Sequence, residues 1–419
     1  MDELHVGYAQ SVITPTLERP VYLAGFGRHR LAHSVHDDLY VRAIAIAHGR
    51  TRVVLAALDL IGLYRYICLE IARRVNARFP DTHVILVSTH THHGADTLGL
   101  WGRDMFHSGT DPAYLQFLRD RVTTTVVAAL QQLQPARLAS AAVRVPGVAK
   151  NARDPEIVDD ELTCLQFTHR DIGAPLVTLA IFPCHPEVLW DQNTAITADY
   201  PAYLRPTLEE HTGAPSLFLP GAIGGMMTPD VQDHSFVEAE RIGTTLAEAA
   251  LQALQDIPPQ KVTHLWHDHT TYQVPLANPL FKLSRALGVL PKAAVSGRIV
   301  TAEANLLGLG RTLLATAPGE VLPRLGLKAK AMLQKAGAQT AAVIGLANDE
   351  LGYILPAEDF AYPRNPFHPG DHYEETMSLG KEAGPALLRA WQCLINTYVM
   401  SRNSEQRQCN AGGHVEDIP

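Results

Sequence analysis

The densest group of reactive side chains is Thr89-His90-Thr91-His92-His93-Gly94, which closes the apolar run Val84–Val87. A β-branched run ending in histidines and a glycine reads as a buried strand that delivers imidazoles to a site. Alternate residues of a strand point the same way, so His90 and His92 are expected on one face, roughly 7 Å apart. Neutral imidazole is a common metal ligand, and a histidine pair at a strand end suits a catalytic zinc centre. The plain alternative is that these histidines cap a strand and meet solvent.

Three further segments could complete such a site. Phe182-Pro183-Cys184-His185-Pro186-Glu187 follows the apolar stretch Val177–Ile181, and its prolines stop the sheet and hold His185 in a rigid turn. Ala317-Pro318-Gly319-Glu320 follows Thr312–Ala315 and is expected to open a helix, with Glu320 in the first turn where the helix dipole favours a carboxylate. Leu346-Ala347-Asn348-Asp349-Glu350-Leu351-Gly352-Tyr353 is rich in turn formers, and Tyr353 reads either as a ligand or as a core aromatic.

Other clusters carry less. His264-Leu265-Trp266-His267-Asp268-His269 alternates like a strand with His267 and His269 on one face, and reads as solvated. Gly308-Leu309-Gly310 lacks the third glycine and the helix of a dinucleotide fingerprint. The stretch Gly221-Ala222-Ile223-Gly224-Gly225-Met226-Met227-Thr228-Pro229 permits close backbone approach and free N–H groups for an oxyanion, or is simply a tight buried turn. It contains no lysine, so it is not a phosphate loop.

Strand-like and helix-like segments alternate along the whole chain. Strands are expected over 40–48, 52–61, 83–88, 161–168, 176–183, 216–219 and 341–346. Helices are expected over 65–79, from Asp111-Pro112 to about Leu130, and over 236–255, 320–336 and 376–398. The fold class is therefore α/β, with mixed β-sheets flanked by helices. Residues 1–400 are expected to form one domain and 401–419 a flexible tail. Residues 275–300 look like an insertion that either covers a cleft or is a surface excursion.

Composition narrows the function classes. Among 419 residues, 46% are hydrophobic and 19% charged, enough to bury a substantial core. The formal charge of −8, without a Lys/Arg cluster, argues against nucleic acid or an anionic membrane as partner. The five cysteines are scattered and never paired as C-x-x-C, which excludes a disulfide framework. No apolar run reaches the ~18 residues of a transmembrane span, and the first residues show no secretory signal. A soluble, cytoplasmic protein is the expectation.

Taken together and in order, these segments resemble the N-terminal catalytic domain of the neutral/alkaline non-lysosomal ceramidase family, in particular its shorter bacterial relatives. The resemblance rests on Val12-Ile13-Thr14-Pro15, Gly25-Phe26-Gly27, His36-Asp37-Asp38, Asp59 and the Thr-His-Thr-His segment. It continues through His185-Pro186, Ala198-Asp199-Tyr200-Pro201, the glycine stretch, Pro318-Gly319-Glu320, Gly352-Tyr353 and Tyr373-Glu374. It implies a neutral-ceramidase-like fold and a catalytic Zn2+ held by His90, His185, Glu320 and Tyr353. His92 corresponds to the family's second active-site histidine, Tyr373 to a tyrosine facing the substrate, and Arg153 to a functional arginine. Thr228 stands where the family carries a serine within Gly-Asp-Val-Ser-Pro, but here the aspartate is missing and one residue is added.

The implied function is a zinc-dependent hydrolase that cleaves the amide of a small N-acyl, lipid-like substrate with a metal-activated water. His92 would handle protons and Tyr373 the developing oxyanion, while Thr228 has no visible base to make it a nucleophile. The alternatives are a metal-binding relative with altered catalysis and an ester-cleaving metallohydrolase. A metallo-β-lactamase signature fails at Gly94 and Ala95, where aspartate and histidine would be needed.

Overall fold

The structure, a computed structural model, describes residues 3–104, 106–287, 291, 297–365 and 370–412. An eight-stranded mixed sheet runs in the order Ser216–Pro220, Pro175–Phe182, Glu161–His169, Gln134–Arg144, His5–Val12, Tyr40–His48, Thr51–Leu58, Thr82–Ser88. A four-stranded sheet follows the order Leu265–Pro275, Ile299–Leu309, Thr312–Thr316, Thr340–Ile344.

Both faces of the large sheet are covered, which is why its central strands read as continuous apolar runs rather than alternating ones. Within the strand Tyr40–His48 the period of two still sorts side chains by face. Ile44 and Ile46 point towards the second sheet and pack with Leu307, Leu309, Leu314 and Ile344. Ala43 and Ala45 point the other way, where small side chains admit Ile67, Ile71, Leu118 and Val122 of two helices. Helices Pro201–Thr212 and Phe236–Gln255 cover the other half of that face through Leu204, Leu208, Ile242 and Leu246. The outer face of the small sheet is closed by Leu325, Ala329, Leu387 and Trp391. The result is four layers, helix–sheet–sheet–helix, and truncating a central residue such as Ile46 to alanine is expected to cost roughly 2–5 kcal/mol.

Local signals fix several helix starts. Asp111 caps the helix Pro112–Gln131 by accepting from Ala113 N at 2.8 Å, with Pro112 at the first helical position. Ser235 does the same for Phe236–Gln255, accepting from Glu238 N.

The sequence misplaces the start of two helices. Pro318-Gly319 looks like the opening of a helix, but Glu320–Val321 is a short strand and the helix begins at Pro323. Glu320 pairs in parallel with Tyr353, and its N–H donates to Gly352 O at 3.0 Å. The last helix runs Ala383–Gly412, later than the expected 376–398 and past Ser401, and 413–419 lie outside the described residues. Of the expected insertion, Pro279–Ala286 is a helix, whereas 288–290 and 292–296 are not among the described residues. No helix among the described residues is long and apolar enough to cross a membrane.

Within the two larger sheets three strand pairs are parallel: Thr51–Leu58 with Thr82–Ser88, Pro175–Phe182 with Ser216–Pro220, and Thr312–Thr316 with Thr340–Ile344. His90, His185, Glu320 and Tyr353 all lie just beyond the carboxyl ends of strands in these pairs. That is where open α/β sheets place ligands.

Candidate active site

The chain leaves its strand at Ser88, and His90 adopts a left-handed backbone with φ 69°. Strand alternation therefore does not carry through to the histidines, and the expected shared face is replaced by a tight loop. The loop is anchored by Thr89 N–H on Leu58 O and His90 N–H on Leu60 O. The intervening threonines serve the scaffold, with the Thr91 hydroxyl donating to Thr197 O at 2.8 Å. His93 turns away: its Nδ1 faces Arg30 and Asn193, and its Nε2 lies 3.5 Å from Asp199.

The ring of His90 is oriented by backbone. Its Nδ1–H donates to Ile61 O at 2.6 Å, which leaves the Nε2 lone pair directed at Glu320, 3.7 Å from Oε1. His185 repeats the device, with Nδ1–H donating to Met227 O at 2.9 Å and Nε2 lying 3.0 Å from Glu320 Oε2. The loop that carries His185 is held by the Ala198-Asp199-Tyr200 segment. Asp199 accepts from Val188 and Leu189 N–H, and the Tyr200 hydroxyl donates to Cys184 O. Tyr353, brought beside Glu320 by strand pairing, donates to Met226 Sδ at 3.4 Å.

His92 completes a buried trio with His90 and His185, whose nitrogens lie within 4.8 Å of one another. Neither ring nitrogen of His92 has a hydrogen-bond partner, although Nδ1 lies 3.1 Å from Glu187 Oε2. Gly25, at φ 100°, is what lets this ring fit, because a Cβ there would come within 2.3 Å of His92 Cγ. Gly224 plays the same part for the strand behind Glu320, where a Cβ would meet Glu320 O at 2.6 Å.

The electrostatics follow from burial and one shared carboxylate. Desolvation pulls His90 down to about 4 despite Glu320. His185 is desolvated too, but Glu187 and the bond to Glu320 outweigh that and push it up to about 9. Burial would raise Glu320, yet the two imidazoles hold it below the usual carboxylate range. His92, desolvated and ringed by other imidazoles, is driven well below its ordinary value. In the absence of a cation the site thus keeps one proton on His185 against Glu320.

The remaining expected residues fall into two groups. Tyr373 stands at the mouth, 44% exposed, with its ring edge-on to Tyr353 at 6.0 Å. Burial of its hydroxyl and nearby carboxylates push its pKa up to about 12, so it is a donor at neutral pH. Arg153 does not reach the imidazoles. It is clamped between Glu374 and Glu375 at 2.8 Å each, directly after Tyr373. Thr228 lies in a short strand paired with Ala149–Asn151, its hydroxyl beside Glu187.

Two carboxyl groups given no role from sequence belong to this region. Glu187 is fully buried behind His92. Glu350 lines the cleft beside Glu320, and burial raises it well above the usual carboxylate range. The available signal was proximity, since each lies within three residues of a candidate ligand. The cleft itself opens from His90, His92 and Glu320 onto Ile61, Leu98, Trp101, Phe281, Leu351 and Met377. Phe281 comes from the helix Pro279–Ala286, so the expected insertion does contribute to the cleft wall.

The sequence profile of the neutral/alkaline non-lysosomal ceramidase, N-terminal, family matches residues 5–235, more than half of the chain. The chain belongs to that family. Ceramidases are amide hydrolases, and the match contains His90, His92, Arg153, His185 and Thr228, while Glu320, Tyr353 and Tyr373 lie beyond it. Among solved structures, the neutral ceramidase from Pseudomonas aeruginosa is similar with a TM-score of 0.77 and 17% identity, covering 96% of this chain and 75% of that one. A ceramidase complexed with C2 is similar with a TM-score of 0.76 and 18% identity, covering 96% and 76%. At such identities the likeness shows the ceramidase fold. No curated protein matches the chain.

Proposed function

We propose that this ceramidase-family chain is a zinc-dependent hydrolase that cleaves the amide of an N-acyl, lipid-like substrate. One observation carries the reading: the Nε2 atoms of His90 and His185 converge on the Glu320 carboxylate at the head of an apolar cleft. Both imidazoles have their Nδ1 protons committed to backbone carbonyls, so each Nε2 is the atom left to face a cation, which would take the place of the proton His185 shares with Glu320. A borderline-soft ion fits this N2O2 set of His90, His185, Glu320 and Tyr353 better than Ca2+ or Mg2+, which take all-oxygen shells. Bound there, Zn2+ supplies Lewis acidity and brings the pKa of water near 7.

The chain's own residues do the rest. His92, neutral and backed by Glu187, accepts a proton at one nitrogen and passes it to the leaving amine. Tyr373 donates a hydrogen bond to the carbonyl oxygen of the substrate as negative charge develops there. Arg153 acts through Glu374 and Glu375 as a positioning residue that holds the turn bearing Tyr373. The apolar wall takes the acyl chain, and burial beside Glu320 disfavours the charged form of Glu350 in that wall.

Hydrolysis of N-acyl substrates of graded chain length tests the reading. Amide cleavage that rises with chain length and vanishes in both His90→Ala and His185→Ala supports it. Wild-type metal content and activity in either variant would refute the ligand assignment, and cleavage of esters alone would refute the amide.

A further inference from the structure

A second group of three imidazoles lies outside the lining of the cleft. His83 belongs to Thr82–Ser88, the edge strand of the eight-stranded sheet, and His267 and His269 to Leu265–Pro275, the edge strand of the four-stranded sheet. Their ring centroids are 4.2 Å (His83–His267), 5.7 Å (His83–His269) and 6.0 Å (His267–His269) apart. One nitrogen from each lies within 4.8 Å of the others.

His267 carries the decisive detail. Its Nε2 lies 3.0 Å from Asn305 Oδ1, while its Nδ1 is buried and has no hydrogen-bond partner. The orientation of Asn305 is not free, because its Nδ2 donates to the Glu303 carboxylate at 3.2 Å and to Thr316 Oγ1 at 3.3 Å. A carboxylate only accepts, so the amide nitrogen must face Glu303 and the amide oxygen must face His267. His267 is thereby fixed as the Nε2–H tautomer, with a bare, buried Nδ1 lone pair beside the rings of His83 and His269. Simple stacking of imidazoles needs neither a fixed tautomer nor an orphaned buried acceptor. Metal-binding histidines show both, the second nitrogen being held by an outer partner.

We infer that His83, His267 and His269 form a second transition-metal site that joins the edges of the two sheets. Three imidazoles without a carboxylate select Zn2+, Ni2+ or Cu2+ over Ca2+ and Mg2+. Tetrahedral coordination requires nitrogens about 3.3 Å apart, so the trio must close slightly. Exposed His269 has the freedom to do so. Its exposure also leaves the fourth position to water.

The test uses the full chain without an affinity tag, stripped with a chelator and titrated with Zn2+ and with Co2+ as a spectroscopic probe. His83→Gln and His269→Ala are each expected to bind one equivalent fewer than the wild type and to lose a distinct Co2+ d–d band. His90→Ala keeps that equivalent and that band. If the edge site exists and the active-site zinc does not, the wild type holds a single equivalent that His90→Ala retains and His269→Ala loses. The inference is overturned if His83→Gln and His269→Ala both bind as much metal as the wild type, with unchanged Co2+ spectra. Excess Ca2+ or Mg2+ that displaced the edge equivalent would also contradict it.

Discussion

The molecule contains two imidazole trios built in opposite ways. The His90–His92–His185 trio sits on loops beyond strand ends, is buried and has Glu320 against it. The His83–His267–His269 trio sits on the faces of two edge strands, is partly exposed and has no carboxylate within it. The buried pair His90 and His185 is oriented by main-chain carbonyls, which no side-chain substitution removes, whereas His267 depends on the amide of Asn305. Only the buried trio opens onto an apolar cleft. Imidazole number alone therefore says little about chemistry; the adjoining carboxylate and cleft suit one trio to the proposed hydrolysis and leave the other suited to holding edges together.

The comparison can be broken most severely at the buried trio. His185→Ala should reduce amide hydrolysis to background while leaving the edge equivalent of zinc in place, as activity and metal analysis on the same preparation will show. Glu187→Gln should cost about 10- to 100-fold in kcat with a smaller change in KM, the usual scale for a partner behind an active-site histidine. Because Glu187 acts through His92, the acid limb of the pH–rate profile should shift as well; an unchanged profile would reduce Glu187 to packing. At the edge, Asn305→Ala frees the His267 tautomer, and Zn2+ affinity there should fall by about 10- to 100-fold without loss of the buried equivalent.

Smaller effects sharpen the contrast through pH. In metal-free protein, His185 has its folded pKa raised to about 9 from an ordinary 6.5. Its contribution to stability is full below about 6.5 and is lost as pH rises through 9. His267 has its folded pKa lowered to about 3, so its contribution is present above 6.5 and is lost as pH falls towards 3. Denaturation of the chelated protein should show His185→Gln flattening the alkaline limb and His267→Gln the acid limb. The smallest step is in the substrate: each methylene buried along Leu98, Trp101 and Phe281 is worth about 0.8 kcal/mol, or about fourfold in kcat/KM until the cleft is full.

The two trios also differ in how far the sequence revealed them. His90 and His185 each end an apolar run, and such runs are legible because both faces of the central sheet are buried. The helix Phe236–Gln255 and the cap at Asp111 were equally readable, being set by contacts within one turn. Glu320 was placed in a helix because Pro318-Gly319 and Pro323 give the same local signal; its strand pairing with Tyr353 spans 33 residues and leaves no local trace. The His90–His92 spacing misled because alternation holds only while backbone stays extended, and His90 does not. At the edge, His267 and His269 were visible as a pair but read as solvated. His83 is a lone histidine in a strand, and only packing of two sheets brings it to them.

The central claim is that His90, His185, Glu320 and Tyr353 hold one zinc ion. The most direct measurement is the zinc content of untagged, chelated and reconstituted His185→Ala beside the wild type, with circular dichroism confirming that both are folded. The account predicts that folded His185→Ala retains the edge equivalent, lacks the second and is inactive. A folded His185→Ala protein that carries the wild-type complement of zinc would contradict it.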